Sequence, residues 1–78
     1  MITFLYNHHR RELVNKMIHI QHDFGDVIIS TQHVHLDHNN CLEMAVVKGK
    51  VTEIQKLMQK IREVKGLKHS DMVMSATE

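Results

Sequence analysis

Apolar and polar positions change their rhythm several times along the chain, and each change predicts an element. ITFLY (residues 2–6) is short, β-branched and aromatic, which predicts a strand. From about His9 to Gln21, Leu13, Val14, Met17, Ile18 and Ile20 recur at helical spacing and predict a helix with one buried face. Asp23, Phe24 and Gly25 end that helix, with Gly25 expected as a left-handed turn residue. DVIISTQHVHL (26–36) predicts a long strand and CLEMAVV (41–47) the next. Gly49 breaks the chain, and Val51, Ile54, Leu57, Met58, Ile61 and Val64 then mark a second amphipathic helix, stopped by Gly66 with Lys65 in its last turn. LKHSDMVMSA (67–76) predicts a closing strand. The order βαββαβ predicts an α+β, ferredoxin-like sandwich: a four-stranded antiparallel sheet with both helices on one face and the other face uncovered.

Alternation along strands then sorts the polar residues. His33 and His35 share one face of the second strand with Val27, Ile29 and Thr31, while Cys41, Glu43, Ala45 and Val47 share one face of the third. Leu42, Met44 and Val46, with Ile28, Val34 and Leu36, form the expected helix-facing core. That places His33, His35, Cys41 and Glu43 together on the uncovered face. Opposing His35 with Cys41 and His33 with Glu43 requires an odd-length connection, and Asp37, His38 and Asn39 supply one, with asparagine expected in the left-handed conformation.

Composition gives that grouping a chemical meaning. Eight histidines and a single cysteine in 78 residues form a surplus of soft and borderline donors, and His33, His35 and Cys41 make an N, N, S set suited to a transition-metal ion. Three ligands rarely close a site; His38, His22 and His19 are the nearest further candidates. His22 precedes the second strand and His33 sits near its far end, so roughly 20 Å is expected between them at about 3.3 Å per strand residue. His22 is therefore expected to reach a neighbouring chain's site, through antiparallel packing of two uncovered faces that would also cover the apolar Val27, Ile29, Ala45 and Val47. A net charge of +1 offers no field for nucleic acid or an anionic membrane. A lone cysteine, no apolar leader pattern and no apolar run near the roughly 20 residues of a membrane span predict a reducing, cytoplasmic setting.

The same residues carry a family resemblance: QH at 21–22, HVH at 33–35, CLEMAVVKG from Cys41 to Gly49, YNH at 6–8 and KGLKH at 65–69. With eleven residues from His22 to His33 and eight from His33 to Cys41, the chain resembles the C-terminal metal-sensing domain of the nickel-responsive ribbon-helix-helix transcription regulators. The resemblance implies one ACT-like domain over 1–78, assembled as a homotetramer, a dimer of dimers. It implies square-planar Ni(II) held by His33, His35 and Cys41 of one subunit and His22 of another, with Glu43, Gln21 and Tyr6 hydrogen-bonding around the ligands. Cu(II) or Zn(II) would be substitutes in vitro. The implied function is repression of nickel uptake, with operator DNA gripped by an N-terminal ribbon-helix-helix segment that these residues do not include.

Plainer readings stand beside this one. His33 and His35 can be polar strand residues, Cys41 a small buried hydrophobe and Glu43 a paired carboxylate. His8, His9, His19, His38 and His69 read as surface residues, and the methionines as packing. An ACT-type module for amino acids is the rival function, although YNHHRRE (6–12) lacks the glycine such sites use. No nucleophile–base pair beyond Cys41 and its histidines supports an enzyme, and a metal-saturated thiolate is a poor nucleophile.

Overall fold

In the computed structural model, which describes residues 1–74, the elements are β1 (Ile2–Asn7), α1 (Arg11–Asp23), β2 (Ile28–His35), β3 (Asn40–Val47), α2 (Val51–Arg62) and β4 (His69–Met72). The sheet is antiparallel in the order β2-β3-β1-β4, with the helices on one side, so the ferredoxin-like sandwich predicted from the sequence is the fold. The first helix starts two residues later than its periodicity suggests, because Asn7 turns the chain: its carbonyl accepts from Arg10 N (3.1 Å) and its Oδ1 from His9 N (2.9 Å). The closing strand is shorter than 67–76, and residues 75 and 76 of that prediction lie outside the described residues.

The core forms between the sheet and the two helices. Leu13 and Met17 of α1 and Ile54, Leu57, Met58 and Ile61 of α2 are buried on Ile2, Phe4 and Tyr6 of β1. Each fully buried side chain of this size contributes about 1.5–3 kcal/mol. Ile18 and Val51, expected on the buried helix faces, are exposed instead. At the end of α2, Gly66 takes a left-handed φ of 94°; a β-carbon there would strike the Arg10 guanidinium and stand 3.1 Å from Leu13 Cδ1. Gly25 does not take that conformation.

The sides of the sheet are assigned the other way round from the expectation. Ile2, Phe4 and Tyr6 are buried and lie opposite Ala45, Glu43 and Cys41, so Cys41, Glu43 and Ala45 face the helices. Leu42, Met44 and Val46 point to the uncovered side, with Val46 exposed. The bulk of Phe4 and Tyr6 claims the space beneath the helices, and the small Cys41 and Ala45 fit beside them. Strand β2 also departs from simple alternation. A bulge at Ile29 breaks the register between Ile28, opposite Val47, and Ser30, opposite Val46. Ile28 therefore packs toward the core, whereas Val34, opposite Leu42, and Leu36 lie on the uncovered side. Val27 is buried ahead of the strand and Ile29 is exposed, so neither belongs to one continuous face with His33 and His35.

Candidate metal centre

Two adjacent rungs of the sheet build the site. Tyr6 lies opposite Cys41, which lies opposite His35; Phe4 lies opposite Glu43, which lies opposite His33. The expected hairpin register is therefore the observed one. It is not held by a left-handed asparagine, since no described residue other than glycine has positive φ. Instead the Asp37 carboxylate accepts from the backbone N–H groups of Asn39 and Asn40, both at 2.8 Å, and from the Asn40 side chain. Opposed residues share a face, so His33, His35, Cys41 and Glu43 are brought together, but on the helix-covered side of the sheet at its β2 edge.

Cys41 is 1% exposed, and its Sγ lies 3.9 Å from Nδ1 of His33, whose side chain is 51% exposed. The pair thus spans the boundary between core and solvent. The other ring nitrogen of His33, Nε2, faces Glu43 Oε1 at 3.4 Å. Glu43 is the buried charged residue of the described chain, and an unpartnered buried carboxylate is costly by several kcal/mol. Here it is partnered: Tyr6 donates its hydroxyl to Oε1 at 3.0 Å, and Gln21 donates its side-chain amide to Oε2. Burial, and then the charge of Glu43, raises the Tyr6 pKa far above the usual tyrosine value, so the phenol remains a donor. The Tyr6 oxygen also lies 3.5 Å from His33 Nδ1, at the outer edge of hydrogen-bond range. Tyr6, Gln21 and Glu43 form one buried network that ends on His33.

The remaining two residues of the expected ligand set are displayed outside this network. His35 projects from the edge strand with its ring centroid 5.0 Å from that of His8, a neighbour read from sequence only as a surface residue. His22 is exposed on the last turn of α1. The expected separation of roughly 20 Å misplaces this turn, because Gln21, the preceding residue, already reaches Glu43. Direction keeps His22 away: successive helix residues project about 100° apart, so the turn that aims Gln21 inward aims His22 outward. Among the described residues, no three His, Cys, Asp or Glu side chains of one chain converge tightly enough to hold an ion. The donors fit a metal nonetheless. Bonds of about 2.3 Å to sulfur and 2.0 Å to imidazole nitrogen span up to about 4.3 Å, so one ion can bridge the Cys41–His33 gap.

Known proteins agree with the chemistry of this donor set. A family model described as the NikR C-terminal nickel binding domain matches residues 1–75. A protein of Syntrophus aciditrophicus that carries the name nickel-responsive regulator is 55% identical over 74 residues, which is 95% of this chain and 54% of that one. A similarly named protein of Chlorobaculum parvum is 54% identical over 77 residues, 99% of this chain and 58% of its own. An uncharacterized protein of Thermotoga maritima, 17% identical, shares the fold at a TM-score of 0.79 over 90% of this chain and 86% of that one. Donor set and relatives define a metal-binding domain of the kind found in regulators rather than in enzymes. The chain belongs to the family of C-terminal nickel-binding domains of nickel-responsive regulators. It spans a little over half the length of the relatives it matches. Neither described helix is long and apolar enough to cross a membrane.

Proposed function

We propose that this chain is a nickel-sensing, tetramerising domain over residues 1–78, in which one Ni(II) is held in a plane by His33, His35 and Cys41 of one subunit and His22 of another. The observation that carries the reading is the buried Cys41 thiol 3.9 Å from His33 Nδ1, with the far nitrogen of His33 turned to a carboxylate. A carboxylate on the far nitrogen of a metal-binding histidine holds the ring's orientation and leaves the near nitrogen free to ligate, which is the role assigned to Glu43 with Tyr6 and Gln21 behind it. Planar coordination by imidazole and thiolate favours Ni(II) over Zn(II), which prefers a tetrahedron. Cu(II) shares the planar preference, so both would occupy the site in vitro.

The helix-side position of the ligands changes how a second subunit completes the site. Packing through the uncovered faces would leave them on the outside of the pair. Strand β2, however, is an edge with one side unpaired. Antiparallel pairing of two β2 edges about a two-fold axis sets the start of one strand beside the end of the other and keeps all four helices on one side. His22 of one chain then stands on the same side as His33 and His35 of its neighbour. The uncovered faces, where Leu36, Val46 and Val73 are exposed, provide a separate contact by which such pairs form a homotetramer, a dimer of dimers.

In the full-length protein, an N-terminal segment beyond these residues would bind operator DNA, and nickel occupancy would favour the arrangement that represses nickel uptake in the cytoplasm. Calorimetric titration with Ni(II) tests the ligand set: Cys41→Ala and His33→Ala are each expected to abolish stoichiometric binding while circular dichroism stays unchanged. Full-strength binding in either variant rules it out. Subunit sharing is tested by co-refolding His22→Ala with Cys41→Ala. Restored nickel binding is expected only in the mixture, because a mixed pair regains one intact site.

A further inference from the structure

We propose that Lys68 is a positioning residue for the nickel centre: its ammonium, seated on the Asn40 side chain, holds the turn that sets His35 opposite Cys41. The inference rests on the ligand set proposed above. Asn40 is the point through which the end of the hairpin is held. Its carbonyl accepts from Leu36 N at 3.0 Å, the contact next to the His35–Cys41 rung, and it directly precedes Cys41 in the chain. Its side chain is used at both ends: the amide nitrogen donates to Asp37 Oδ2 at 2.9 Å, and the amide oxygen accepts from Lys68 Nζ. A carboxylate on the nitrogen and a cation on the oxygen fix the amide in one orientation.

Lys68 comes from the other side of the sheet. It leads into β4, and its own N–H donates to Leu5 O of β1 at 2.9 Å. In the order β2-β3-β1-β4, its side chain therefore crosses from the β1–β4 pair to the start of β3. Neighbouring strands stand about 4.8 Å apart, so the crossing covers roughly 9–10 Å, a span that needs the long stem of lysine or arginine. The site gains from this contact because His35 and Cys41 flank the turn, and His35 stands exposed on an edge strand. A hairpin that opens there separates the two ligands, and the apparent affinity falls in proportion to the fraction of chains that keep them opposed. The contact is solvated, which limits its effect to about fivefold. The sign is diagnostic. Removing a cation near a dication's site tightens binding if Coulomb repulsion alone is at work, whereas losing a positioning contact loosens it.

Calorimetric titration with Ni(II) tests the proposal on the wild type, Lys68→Met, Lys68→Arg and Cys41→Ala. Methionine keeps most of the stem without the charge, and arginine keeps both reach and charge. Lys68→Met is expected to bind nickel about fivefold more weakly, and Lys68→Arg to restore the wild-type affinity. A contact that merely stabilised the fold would leave the affinity of the folded chain unchanged. Equal or tighter binding by Lys68→Met, or the same loss in Lys68→Arg, overturns the assignment. Amide hydrogen exchange without metal gives an independent reading at Leu36, whose N–H should exchange about fivefold faster in Lys68→Met than in the wild type. An unchanged rate there also overturns it. Cys41→Ala separates this failure from failure of the ligand set. Intact binding in Cys41→Ala removes the centre itself, whereas abolished binding there with full affinity in Lys68→Met removes only the role of Lys68.

Discussion

Strands β3 and β2 lie side by side in the same sheet, yet they live in different solvents. Along β3, burial alternates cleanly from Cys41 to Ala45; along β2, Ser30 to His33 and His35 are exposed on both faces. The candidate site straddles the two. Its thiol and carboxylate belong to the packed strand and are fixed by the core, whereas its imidazoles stand on an edge strand and are exposed among the described residues. A site divided in this way is half-organised before any partner arrives. Its sulfur is pre-placed, and its remaining geometry waits on a second body.

The largest test of that division is mechanical. Phe4, 1% exposed and opposite Glu43, is expected to lose about 3–5 kcal/mol of stability on truncation to alanine. His35→Ala, one rung away on the edge, should stay within about 0.5 kcal/mol of the wild type. Urea unfolding of both variants checks the contrast, and a comparable loss in the two would mean that β2 is as firmly packed as β3. The next effect is on metal. Residues that only orient ligands cost about 10- to 100-fold in affinity, so Cys41→Ala should weaken Ni(II) binding by more than about 100-fold while leaving the fold standing. Calorimetry that finds less than a tenfold change would remove the thiol from the site.

Which parts of this division were legible in the chain follows from what each residue can signal. Element order was legible because Ile54, Leu57, Met58 and Ile61 repeat at helical spacing between glycines that break the pattern. The pairing of His35 with Cys41 was legible because only an odd connection opposes them. The side of the sheet was not, because local hydrophobicity ranks Leu42, Met44 and Val46 above Cys41, Glu43 and Ala45. The deciding signal lies in the neighbouring strand, where Ile2, Phe4 and Tyr6 alternate with Thr3, Leu5 and Asn7 and impose their side on β3 through pairing. The bulge at Ile29 left no mark in a run of β-branched residues, so alternation carried across it misassigned Ile28, Val34 and Leu36 to one face. The network of Tyr6, Gln21 and Glu43 was expected through family resemblance alone, since its members lie far apart in sequence.

Glu43 joins the two regions, and its substitutions sharpen the comparison at a smaller scale. Glu43→Ala leaves the Tyr6 hydroxyl buried without its acceptor and should cost about 2–4 kcal/mol in denaturant unfolding. Glu43→Gln keeps an acceptor for Tyr6, and Gln21 can turn its amide to offer oxygen instead of nitrogen, so the cost falls to about 1 kcal/mol. Nickel affinity is expected to separate from stability in the glutamine variant, dropping about tenfold because the carboxylate no longer faces His33. Unchanged affinity there would confine Glu43 to a packing role.

The smallest expected effect lies at the turn that joins the two strands, where the carboxylate is fully solvated. The Asn40 side chain, and then the backbone N–H groups of Asn40 and Asn39, lower the Asp37 pKa from 3.8 to about 2. A carboxylate depressed in the folded state stabilises the hairpin fully above its unfolded value. That contribution fades as pH falls from 3.8 through about 2, because protonation removes the charged acceptor. Asp37→Ala should therefore lower the melting temperature by only a few degrees at neutral pH, with the difference from wild type vanishing in that acid window. The amide resonances of Asn39 and Asn40 should titrate with the same midpoint. If they moved instead near 3.8, the clamp would be an incidental contact, and the register opposing His35 to Cys41 would rest on strand packing alone.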